Sequence, residues 1–71
     1  MAITLSTKIG RRIRVLRTKR GLTQRMLADH SELTQEYIGI LERGEKSVTV
    51  TTLARILSAL DTTLEEFFKG M

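Results

Sequence analysis

The sequence predicts an all-α fold: a compact domain of five short helices with a helix-turn-helix between residues 23 and 44. Three observations predict it. Thr23 and Thr34 each stand where a helix N-cap is expected, and each is flanked by apolar residues at staple spacing, so two helix starts fall within Thr23–Gly44. Outside that stretch, apolar residues recur at helical spacings along one stripe per segment. The composition agrees, with no proline, 4% aromatics and abundant Leu, Ile and Arg. At 71 residues the chain makes one domain, residues 1–71, with a thin core.

The first helix is expected from about Ser6 to Arg20. Leu5, Ile9, Ile13 and Leu16 fall at i, i+4, i+8 and i+11, which makes a single apolar stripe. Lys19 and Arg20 lie in the last turn, where cations meet the negative end of the helix dipole, and Gly21 closes it. Gly10 weakens the helix interior but permits close packing. Arg17 sits at the edge of the stripe and is the one base of this segment expected off the open surface.

Thr23 then caps the second helix, with Leu22 and Leu27 at the staple positions N′ and N4. Thr34 caps the third, with Leu33 and Ile38 as its staple, and Gly44 ends it in the left-handed conformation. Between them, Glu32 occupies a turn position that is often left-handed, so modest backbone strain is expected there. On the third helix Thr34, Ile38 and Leu41 share one side, which Leu27 can meet. The other side carries Glu36, Gly39, Ile40 and Arg43, with Gln35 and Tyr37 on its flanks. An amide, a carboxylate, an aliphatic, a phenol and a guanidinium on one surface suit the reading of base edges. An ordinary helical hairpin with a solvated face would show a similar pattern.

After the loop GEKSV, Thr49 caps a fourth helix over Val50–Leu60, with Leu53, Ile56, Leu57 and Leu60 on its apolar face. Asp61-Thr62 breaks the chain briefly. Thr63 and Glu66 then form a capping box that opens a fifth helix containing Leu64, Phe67 and Phe68, ended by Gly70.

Composition narrows the function. Without cysteine there is no disulfide framework, thiolate metal site or thiol nucleophile, which fits a reducing cytoplasm. The N-terminal MAITLSTK has neither a basic nor an apolar signal region, and no apolar run spans a membrane. His30, the only histidine, has no second ligand nearby and reads as a polar surface residue, so no metal is expected. No paired carboxylates, nucleophile–base set or phosphate-cradling glycine loop argues for an enzyme. Charge is sharply divided: residues 1–28 carry eight bases and no acid, whereas residues 29–71 sum to −4. A strongly basic half beside a helix-turn-helix implies a polyanionic partner.

In order and spacing, IGRRIRVLRTKRGLTQ, LTQEYIGILERGEK, TLARILSAL and LEEFF resemble the phage repressor/Cro-like (XRE) helix-turn-helix family, over roughly residues 8–68. Within it, EYIGILERGEKSVTVTTL is most similar to the small controller proteins of restriction–modification systems. The departures are Glu32 for the usual turn glycine and Met26 where an acidic residue is common. The resemblance implies a lambda repressor-like DNA-binding fold and roles for matching positions. Gln24 would anchor a phosphate, with Arg43 and Lys46 holding the backbone beyond the recognition helix. Gln35, Glu36, Tyr37 and Ile40 would face bases in the major groove, from a recognition helix over about residues 35–43. Arg17 and Glu42 would form a buried ion pair, and Ala28 would let the two motif helices cross closely. The resemblance gives the dimer interface to the fifth helix. Its Leu64, Phe67 and Phe68 carry more apolar surface than one side of a small bundle needs, so part of that surface is expected to pack on the same helix of a second copy.

The expectation is therefore a cytoplasmic, nucleoid-associated transcriptional regulator that binds double-stranded DNA as a homodimer on a symmetric operator. It needs no cofactor, small-molecule ligand or membrane, and RNA polymerase is a candidate partner. The competing class is an antitoxin or protein-interaction module on the same fold, docking through Phe67, Phe68, Val48 and Val50.

Overall fold

A computed structural model describes residues 3–71 and places five helices along them: α1 Leu5–Lys19, α2 Gln24–Ser31, α3 Gln35–Glu42, α4 Val50–Ala59 and α5 Leu64–Phe68. All five begin the same way. Thr4, Thr23, Thr34, Thr49 and Thr63 sit in extended conformation, and each hydroxyl accepts from the backbone N–H three residues on. Thr4 was not foreseen as a cap, so α1 starts one residue earlier than the sequence suggests. The capping box at Thr63 is complete, with Glu66 accepting in return from the Thr63 N–H.

The first four helices also end alike. In each, two successive N–H groups fold back onto the carbonyls of the last turn, around a residue of positive φ. Gly21 and Gly44 fill that position after α1 and α3, but Glu32 (φ 58°) and Asp61 (φ 54°) fill it after α2 and α4. A Cβ in this conformation costs roughly 1–2 kcal/mol. An arginine covers one of the two strained ends, since Arg55 Nη2 on α4 donates to the carbonyls of Ser31 (3.0 Å) and Glu32 (3.2 Å).

The core gathers Ile9 and Ile13 from α1, Leu27 and Ala28 from α2, Ile38 and Leu41 from α3, Leu53, Ile56 and Leu57 from α4, Leu60 just after it, and Phe67. Leu5 is the exception to the expected stripe. It opens α1 and stays exposed. α1 lies so close to the end of α3 that a Cβ on Gly10 would collide with the carbonyl oxygens of Leu41 and Glu42. Gly44 makes a second close approach, to Thr7 on α1.

α5 is docked by its inward side. Phe67 is 1% exposed, whereas Leu64 and Phe68 are each 37% exposed. Phe67 therefore belongs to the chain's own core, contrary to its expected place at an interface, which leaves Leu64 and Phe68 as the exposed apolar groups of α5. Arg12 Nη1 secures the far end by donating to the carbonyls of Phe67 (2.8 Å) and Lys69 (2.9 Å).

Two substitutions should move stability in opposite directions. Glu32→Gly relieves the left-handed Cβ while keeping the carbonyls that Arg55 holds, and should stabilise by about 1 kcal/mol, raising the melting temperature by roughly 4–8 °C. Gly10→Ala gains about 1 kcal/mol of helix propensity but drives a methyl into backbone, and should lose more than it gains, by about 2 kcal/mol net. Thermal melts of both variants test the pair, and equal stability of Gly10→Ala and wild type would contradict the close approach.

Candidate nucleic-acid interface

The interface begins below the surface, with the pair that seats the recognition helix. Glu42, the last residue of α3, has a 3% exposed side chain, and Arg17 of α1 reaches it with two donors. Arg17 Nε donates to Oε2 at 2.6 Å and Nη2 to Oε1 at 3.1 Å. The third nitrogen, Nη1, donates to the Leu22 carbonyl at 2.8 Å, just before the cap of α2. Glu42 Oε1 also accepts from Gln24 Nε2 at 3.1 Å. One carboxylate and one guanidinium thus link α1, the loop before α2, the first residue of α2 and the end of α3. Among the described residues no buried side-chain polar atom lacks a partner.

Gln24 is consequently fixed by its nitrogen, and its oxygen lies beside Gly39. Gln24, Gln35, Glu36, Gly39 and Arg43 together line a shallow hollow on the outer side of the motif. Gly39 is its floor: a Cβ there would stand 3.1 Å from Arg43 Nη1 and 3.5 Å from Gln24 Oε1. Of the residues expected at the groove, Gln35 and Glu36 are exposed and border this hollow. Tyr37 and Ile40 are half-buried outside it, and Tyr37 packs partly against the core. Lys46 is exposed in the loop after α3.

Arg43 is not the free cation that its position suggests. It donates from Nε to Glu45 Oε2 at 3.0 Å and from Nη2 to Glu45 Oε1 at 3.1 Å, with both side chains more than half exposed. The hydrogen bond and charge of Arg43 hold the Glu45 carboxyl below its ordinary range, and the same bond raises Arg43. Glu36 adds a weaker electrostatic contribution to Arg43 through space, without a bridge. Sequence reasoning missed Glu45. The signal was the Gly44 turn, which brings a side chain two residues on back beside the end of the helix. Ala28, expected where α2 and α3 cross, is buried in the core. His30 is exposed, with Nδ1 2.7 Å from the Met26 carbonyl, and among the described residues no group of side chains could hold a metal ion.

A capped helix, a left-handed turn and a second helix seated by a buried ion pair, with its outer side open, make a helix-turn-helix. The family model described as Helix-turn-helix, HTH_3, matches residues 13–67. The chain belongs to this helix-turn-helix family. It is 36% identical over 59 residues to the HTH-type transcriptional regulator PuuR of Escherichia coli (strain K12), a match that covers 83% of this chain and 32% of PuuR. The chain therefore spans about a third of that relative. Its fold superposes on the restriction-modification controller protein C.AhdI from Aeromonas hydrophila with a TM-score of 0.85 and 40% identity, covering 89% of this chain and 96% of that one. It also superposes on C.Esp1396I in a nucleoprotein complex, with a TM-score of 0.86 and 31% identity over 96% of this chain and 88% of that one.

Removing one partner of the buried pair leaves the other charge unpaired in the protein. Glu42→Ala should therefore destabilise this helix-turn-helix domain by about 3–5 kcal/mol, enough to unfold much of a small domain at room temperature. Urea unfolding measures it. A loss below about 1 kcal/mol would place the pair among solvated surface contacts.

Proposed function

We propose that this chain is a sequence-specific, double-stranded-DNA-binding transcriptional regulator that acts as a homodimer on a symmetric operator. The observation that carries the reading is the two-sidedness of α3. Its inner side is held by Ile38, Leu41 and the Glu42 pair, while Gln35 and Glu36 are exposed on the other. A helix so fixed and so open can enter a major groove without rearranging the fold. Gln35 then offers a bidentate amide to adenine, Ile40 packs on a thymine methyl, and Tyr37 contributes from the flank. Glu36 accepts from cytosine N4 and disfavours bases that present only acceptors there. Gln24 anchors a phosphate with the group that Glu42 leaves free, alongside the first amides of α2, and Lys46 holds the backbone beyond α3.

The likeness to C.AhdI over nearly the whole of that protein supports control of a restriction–modification system as the setting. Cytoplasmic, nucleoid-associated action follows from a DNA target, and among the described residues no helix is long and apolar enough to cross a membrane. RNA polymerase is the protein partner that such control would engage. Leu64 and Phe68 are the apolar groups of α5 left in solvent, and they serve as the dimer contact.

Selection of binding sites from random duplex DNA tests the reading. It should return a symmetric motif whose half-sites lie about 10 base pairs apart, one turn of duplex. Binding should weaken by several powers of ten between about 50 and 200 mM salt, if the dimer makes on the order of 6–10 phosphate contacts. A protein that enriches no motif, and leaves no footprint when purified alone, would belong to the competing class of interaction modules or antitoxins. Assembly has its own check. The double variant Leu64→Ser, Phe68→Ser should sediment as a folded monomer, because Phe67 still closes the core; a wild type that is monomeric at concentrations well above those needed for DNA binding would refute the dimer.

A further inference from the structure

We infer that Glu45 is a specificity-determining residue, which withholds Arg43 from indiscriminate phosphate binding while leaving it one free end for the operator. The inference rests on the DNA-binding reading above. Around the hollow on α3, Glu36, Arg43 and Glu45 sum to −1, an unexpected sign for a surface that meets a polyanion. The pairing is geometrically defined. The turn at Gly44 closes with the Glu45 N–H on the Ile40 carbonyl at 3.1 Å, which sets the backbone from which the carboxylate reaches back. It then takes the Nε and Nη2 edge of the guanidinium, as a planar fork on a carboxylate does.

Nη1 is the end left over. It has no acceptor among the described residues and lies above Gly39, where the absence of a Cβ makes room for it. Arg43 can thus donate into the hollow, toward whatever Gln24 and Gln35 also face, without releasing Glu45.

Two modes of DNA contact are affected differently. Loose, sequence-independent binding depends on cations that neutralise phosphates and release counterions. A cation already neutralised by its own carboxylate releases few, and Glu36 and Glu45 repel a phosphate brought near. A base contact through Nη1 leaves the pair intact. Glu45 therefore penalises random sequence more than the operator, and discrimination comes from a repulsive element as well as an attractive one.

The experiment compares wild type, Glu45→Gln and Glu65→Gln by fluorescence anisotropy on a selected operator duplex and on a random duplex of equal length, across a salt series. Glu45 is exposed, so Glu45→Gln should melt with wild type. Affinity of Glu45→Gln for random duplex should rise roughly five- to tenfold per protomer at about 0.1 M salt, with the salt slope steeper by about 0.9, as for one further neutralised phosphate. Operator affinity should rise less, so the ratio between the two falls. Glu65→Gln, which removes an acid on α5, should leave that ratio unchanged. An unchanged ratio for Glu45→Gln, a loss on both duplexes, or an equal effect of Glu65→Gln would overturn the inference. Failure of wild type to bind any selected duplex would instead sink the DNA-binding reading, and this inference with it.

Discussion

The contact between Arg17 and Glu42 is the constraint on which the rest of the molecule depends. A carboxylate with a 3% exposed side chain must be paired and hydrogen-bonded, and here every donor it meets comes from a different part of the chain than its own. The guanidinium spends its third nitrogen on the Leu22 carbonyl, which fixes the approach to α2. Such pairs add little net stability over an apolar replacement, but they punish every other arrangement of the groups that meet there. In this domain that means one placement of α3 against α1, and one orientation of the Gln24 amide.

Charge is distributed by range of action. The basic residues of the first 28 stand mostly on the exposed side of α1, with Lys8, Arg11 and Arg14 in solvent. Their field extends about a Debye length, close to 8 Å at physiological salt, and attracts a polyanion without regard to its sequence. The surface around the outer side of α3, with the start of α2 and the turn after α3, carries the opposite emphasis: two carboxylates, two neutral amides and one cation that is already paired. The basic surface and the mixed polar surface thus lie on different elements of the fold.

Much of this was legible in the sequence because its causes are local. Capping threonines, staples, the left-handed Glu32 and the margin position of Arg17 all leave their mark within a few residues. What was not legible involves partners without a side-chain signature. Arg12 and Arg55 bind backbone carbonyls at chain separations of 55 and 24 residues, and a carbonyl looks the same at every position. Phe67 was placed at an interface because a helix of five residues has too little length for periodicity to tell its inner side from its outer. Leu5 fits the stripe of α1 in angle, but periodicity gives direction around a helix and not how far its partner extends.

The approach of Gly10 to the last carbonyls of α3 sets the spacing of those helices by main chain against main chain. Leu41 and Glu42 contribute to that contact only atoms that every amino acid possesses. The seat of the recognition helix is therefore indifferent to what its outward side chains are. Exposed positions such as Gln35 and Glu36 take no part in that backbone contact, so the spacing of α1 and α3 places no demand on which side chains they carry.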